Sequence, residues 1–64
     1  MDLTKRELEI LQYVMQGKLS REVAEALFLS KRTVDFHLSN VYTKLNVKNR
    51  VQAFHQANKL GLLP

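Results

Sequence analysis

Sixty-four residues without a single cysteine leave this chain few ways to stay folded. Neither a disulfide framework nor a cysteine-bound zinc can supply stability, and a single core at this length is close to the smallest that holds without such aid. Packed helices must do it. The only proline is the last residue and there are two glycines, a composition that argues against a disordered linker. No apolar run approaches the roughly 20 residues of a membrane span, and the N-terminus lacks the apolar stretch of a signal peptide. The expectation is one independently folding domain, residues 1–64, in a reducing cytosol.

Four capped segments carry helical periodicity. Thr4 and Glu7 form a capping box ahead of a stripe made by Leu8, Ile10, Leu11, Val14 and Met15, and Gly17 supplies a left-handed stop, which predicts a helix from Lys5 to Gln16. Ser20 is the expected cap of a short second helix that buries Val23, Ala24 and Leu27 and ends near Leu27. Phe28, Leu29 and Ser30 leave room for a tight turn. Phe28 and Leu29 replace the usual turn glycine, so the turn is expected to be held by burying both. Ser30 then caps a third helix over 31–45, closed by Asn46. Asn49 caps a fourth over 50–60, with Ala53, Phe54, Ala57 and Leu60 toward the core and Gly61 at its end. The fold class is therefore all-α, a four-helix bundle in which the second and third helices form a helix-turn-helix.

The charge is concentrated in the third helix and the segment that follows it. Between Lys31 and Arg50 stand Lys31, Arg32, Lys44, Lys48 and Arg50 against Asp35 alone, and this excess equals the whole net charge of +4. Everywhere else Lys5, Arg6, Lys18, Arg21 and Lys59 are matched by Asp2, Glu7, Glu9, Glu22 and Glu25. A local cationic surface seeks a polyanion. On the third helix Val34, His37, Leu38, Val41, Tyr42 and Leu45 share one side, leaving Asp35, Phe36, Ser39, Asn40 and Thr43 on the other. That polar flank suits a nucleic-acid groove.

Five blocks then carry a resemblance: Leu3-Thr4-Lys5-Arg6-Glu7, Ser20-Arg21-Glu22-Val23-Ala24, Leu29-Ser30-Lys31-Arg32-Thr33-Val34, His37-Leu38-Ser39-Asn40 and Lys44-Leu45-Asn46-Val47-Lys48-Asn49-Arg50. Together they resemble the LuxR-type helix-turn-helix family, also called NarL/FixJ or GerE type, over nearly the whole chain. The resemblance implies a bacterial transcription-factor domain whose third helix enters the major groove of double-stranded DNA and whose fourth helps pair two copies. Such domains often form the C-terminal output of a response regulator or of a regulator with a small-molecule sensor. It further implies a homodimer on DNA in the cytoplasm, at the nucleoid, with RNA polymerase as a further partner. It implies no cofactor and no small-molecule ligand in this domain.

By the same resemblance Asp35, Phe36 and Ser39 match the positions that reach base edges. Arg32, Thr33, Asn40 and Lys44 match those that reach phosphates or the groove wall, with Ser30, His37, Lys48 and Arg50 added at the margins. Lys44, near the C-terminal end of the helix, is the leading phosphate contact. Asp35 departs from the basic or amide residue common there and has two readings: acceptance from cytosine N4, or a pair with Lys31 or Arg32 one turn back. Phe36 either meets a thymine methyl or turns into the core. On the fourth helix Val51, His55 and Asn58 lie on a separate face, read as a dimer contact or as a solvated side.

Catalysis and metal binding find little support. His37 and His55 lie eighteen residues apart with no cysteine to join them, and the place of Glu7 is explained by capping. A small nuclease needs an acidic metal cluster or an activated nucleophile, which is missing. An adaptor that keeps the fold but has lost DNA is the remaining rival, with Asp35 as its best argument.

Overall fold

Helices begin where something satisfies their free N–H groups, and three side chains do so at the expected places. In the computed structural model, which describes residues 2–63, the elements are α1 (Lys5–Met15), α2 (Ser20–Leu27), α3 (Lys31–Leu45) and α4 (Arg50–Lys59). Thr4 Oγ1 accepts from the Glu7 N–H at 3.1 Å while Glu7 Oε1 accepts from the Thr4 N–H at 2.9 Å, a complete capping box. Ser30 Oγ accepts from the Thr33 N–H at 3.1 Å, and Asn49 Oδ1 from the Gln52 N–H at 2.9 Å. The second helix departs from expectation. Leu19 is its N-cap and Ser20 lies inside it; Glu22 Oε1 takes the Leu19 N–H at 2.8 Å, while Leu19 offers no side-chain acceptor to the first turn.

All four helices end alike. Gly17, Phe28, Asn46 and Gly61 adopt positive φ, and the residue after each donates back to a helix carbonyl: Lys18 to Tyr13, Leu29 to Ala24, Val47 to Tyr42 and Leu62 to Ala57. These bonds serve the orphan carbonyls that a helix end leaves behind. The reversals also shorten α1 and α4 by one residue against the sequence reading, since Gln16 and Leu60 are C-caps.

Phe28 is the exception in chemistry. A side chain in the left-handed region is disfavoured, and here it is not repaid by burial: Phe28 is 95% exposed. The expectation that both turn residues are buried holds only for Leu29, which packs on the core. Positive φ at Phe28 swings the chain so that Leu29, one residue later, folds inward.

The core has two linked parts. Ile10, Val14, Val23, Ala24 and Val34 join α1, α2 and α3, while Leu11, Val41, Leu45 and Ala57 join α1, α3 and α4, with Met15 packed against both. Helix α3 packs on each of the other three helices. Phe54 and Leu60, expected inside, are exposed. Ala53 and Ala57, four apart, are fully buried and bring α4 close to its neighbours, so Phe54 falls outside that contact line, and Leu60 lies past the last helical residue.

Replacing Phe28 by glycine relieves the left-handed strain, about 1–2 kcal/mol, against the larger unfolded-state entropy of glycine, about 0.5–1 kcal/mol. Phe28→Gly is expected to stabilise the domain by about 0.5–1 kcal/mol. A urea midpoint that moves down instead shows that the exposed ring contributes to folding.

Candidate nucleic-acid interface

The outer flank of α3 is held by its start and its buried side. Ser30 Oγ donates to Thr33 Oγ1 at 2.9 Å while accepting the Thr33 N–H, so both hydroxyls are fixed at the helix entrance. Val34, Val41 and Leu45 are buried, which leaves Asp35, Phe36 and Ser39 outward on consecutive turns. Phe36 is 63% exposed, so the inward reading of that ring does not hold. His37 is half-buried and meets the Phe36 ring edge-on, 5.8 Å between centroids. Asn40 is half-buried, and the Thr43 hydroxyl donates to the Ser39 carbonyl at 3.0 Å. Among the described residues no three histidine or acidic side chains converge as a metal site would require.

Asp35 is paired one turn back. Lys31 Nζ donates to Asp35 Oδ2 at 2.8 Å, and this ammonium, with help from the Ser20 hydroxyl, holds the Asp35 carboxyl below the usual carboxylate range. Ser20 belongs to α2, so the start of that helix stands beside the first turns of α3. Leu19, Ser20, Arg21 and Lys31 line one cleft there. Neither Ser20, Arg21 nor Lys31 was among the site residues expected from sequence. Arg21 is formally matched by acids on its own helix, and only the packing of α2 on α3 places it beside Lys31.

Two of the expected phosphate ligands carry structural duties. Lys44 Nζ donates to Glu7 Oε1 at 2.6 Å, and Glu7 is 4% exposed. The Lys44 ammonium is the largest cause holding the Glu7 carboxyl below its ordinary value, followed by the Thr4 N–H, while burial pushes the other way. The Arg50 guanidinium donates to the carbonyls of Val14 and Lys18 and so clasps the α1–α2 turn from the start of α4. Arg32 and Lys48 are exposed, and their side chains have no such partner among the described residues.

The outer side of α4 is a single stripe. Val51, His55 and Asn58 are exposed, and Phe54 lies between them. Helical spacing alone places Phe54 toward the core. Here it lines an apolar hollow with Met15 and Val51, continued by Gln12, Asn58 and Leu63.

Two helices joined by a three-residue reversal, with the second presenting a polar flank, define a helix-turn-helix DNA-binding domain. The chain belongs to the luxR family of bacterial regulatory proteins, whose GerE model matches residues 1–57. It is 48% identical over 61 residues to the transcriptional activator protein AnoR of Acinetobacter nosocomialis, covering 95% of this chain and 26% of AnoR. It is 46% identical to the transcriptional regulatory protein LiaR of Bacillus subtilis (strain 168), covering 95% of this chain and 29% of LiaR. With the spore germination protein GerE of Bacillus subtilis (strain 168) the identity is 44%, over 95% of this chain and 82% of GerE. The chain thus spans under a third of the first two relatives. Among solved structures, the response regulator ChrA of a heme-sensing two-component system superposes with a TM-score of 0.90 at 44% identity, over 97% of this chain and 31% of ChrA. The transcription factor GerE superposes at 0.89 with 37% identity, over 97% of this chain and 92% of GerE. These relatives are transcription regulators, not enzymes.

Glu7 has a lowered folded pKa, so its contribution is complete above its ordinary value of 4.5 and is lost as the pH falls through the lower folded value. Glu7→Gln is expected to flatten the acid limb of stability against pH; an unchanged limb refutes the linkage. Lys44→Ala leaves a buried carboxylate short of one partner and should cost about 1–2 kcal/mol in urea unfolding. Unfolding energies equal to wild type would return Lys44 to a surface role.

Proposed function

We propose that this domain binds double-stranded DNA by laying α3 in the major groove, as a transcriptional regulator or the C-terminal output of one. The observation that carries the reading is the outward flank of α3: Asp35, Phe36 and Ser39 stand free of the core on a helix rooted by its apolar side. A 15-residue helix runs about 22 Å and fits a groove about 12 Å wide. Asp35, Phe36 and Ser39 read base edges. Ser30, Thr33, His37 and Asn40 border the groove, while Arg32 and Lys48 reach phosphates, joined by Arg21 from α2. Lys44 and Arg50 act mainly by fixing α3 and α4, because each is tied to a partner within the chain, Lys44 to Glu7 and Arg50 to the Val14 and Lys18 carbonyls.

Two copies pair on DNA through the α4 stripe of Val51, Phe54, His55 and Asn58. An aromatic ring in an apolar hollow flanked by polar side chains suits an interface of modest size. Paired reading helices would then sit about 10 base pairs apart or a multiple of that. The domain works in the cytoplasm at the nucleoid, where RNA polymerase is the natural further partner of a regulator. As a unit it spans residues 1–64.

Salt titration of duplex binding tests the reading. Three neutralised phosphates give log affinity falling linearly with log salt at a slope of about −3 per domain, and Arg32→Ala should reduce that slope by about one. Absence of duplex binding at low salt favours an adaptor that has lost DNA. For the pairing face, Phe54→Glu should abolish cooperative binding to two adjacent half-sites while leaving single half-site affinity within about twofold; retained cooperativity places the interface elsewhere.

A further inference from the structure

We infer that Lys31 is a positioning residue for base recognition: by holding Asp35 on the outer flank of α3 it directs that carboxylate to a cytosine N4 amine. The inference rests on the proposed major-groove reading of α3. An isolated aspartate facing DNA is repelled by phosphates and free to turn away. Here both are reduced, because Lys31 Nζ lies 2.8 Å from Oδ2, where it offsets the carboxylate charge and favours one orientation of the side chain. The pair is solvent-facing, with side-chain exposures of 67% for Lys31 and 47% for Asp35. A carboxylate offers about four acceptor sites, of which Lys31 uses a part. The remaining sites can only accept. In the major groove guanine and thymine offer acceptors, and adenine sets N7 beside its amine, so cytosine alone presents a donor without a neighbouring acceptor on the same base.

The test selects bound sequences from a random duplex pool, then measures affinity for duplexes differing at one base pair. The wild-type domain should prefer cytosine at one half-site position by about tenfold. Asp35→Ala should remove that preference. Lys31→Ala should reduce it to about twofold or less, Lys31→Arg should keep it, and the double variant should discriminate no worse than Asp35→Ala. Circular dichroism confirms that each exposed substitution keeps the helices. If Lys31→Ala instead weakens all sequences equally, with the preference intact and the salt slope lower by one, Lys31 is a plain phosphate ligand and the inference fails. It fails equally if no cytosine preference depends on Asp35. Loss of binding to every duplex by the wild-type domain instead overturns the DNA-binding reading itself.

Discussion

One carboxylate sets the relation between the first and third helices. Glu7 closes the capping box at the start of α1 and accepts from Lys44 near the end of α3, so two elements distant in sequence meet at a single oxygen, Glu7 Oε1. An ionised group this buried must be well partnered to be tolerated. Its bonds to the Thr4 N–H and the Lys44 ammonium offset the loss of water, and among the described residues no buried side-chain nitrogen or oxygen lacks a partner. Apolar contacts alone permit sliding between helices. A short directional bond between charges penalises such slips, which suits a helix whose outward flank must sit at one angle.

The concentration of charge takes on a different meaning once partners are assigned. Of the five cations between residues 31 and 50, Lys31, Lys44 and Arg50 each bond within the chain. The net charge of +4 is unaffected by this pairing, although Glu7 offsets the charge of Lys44 locally. The directional use of the positive field is divided, however: Arg32 and Lys48 reach outward, while the others shape the surface that the field surrounds. Attraction and orientation therefore fall to different residues of one basic segment.

Much of the fold was legible because its signals are local. Thr4, Ser30 and Asn49 accept from backbone N–H groups three residues on, and Gly17, Asn46 and Gly61 mark stops by their tolerance of positive φ. The outer flank of α3 followed from helical spacing in the same way. Ser20 misled because Glu22 supplies the second half of a capping box without needing the first. Phe54 misled because periodicity counts apolar residues and does not say that two alanines are what approach the neighbouring helix most closely. The partners of Lys44 and Arg50 were beyond reach, lying 37 and 36 residues away in sequence. No pattern within a helix encodes such a pair; it exists only after the helices dock.

The four helix ends share one return bond, from the residue after the left-handed position to a carbonyl five residues earlier. Each change of direction is thus specified by about six consecutive residues, so the topology is largely decided before distant segments meet. Domains rich in contacts between sequence neighbours cross low entropic barriers and fold fast. For a chain that emerges from the ribosome without disulfides or metal to trap it, that brevity shortens the interval in which its apolar stripes stand open to misassociation.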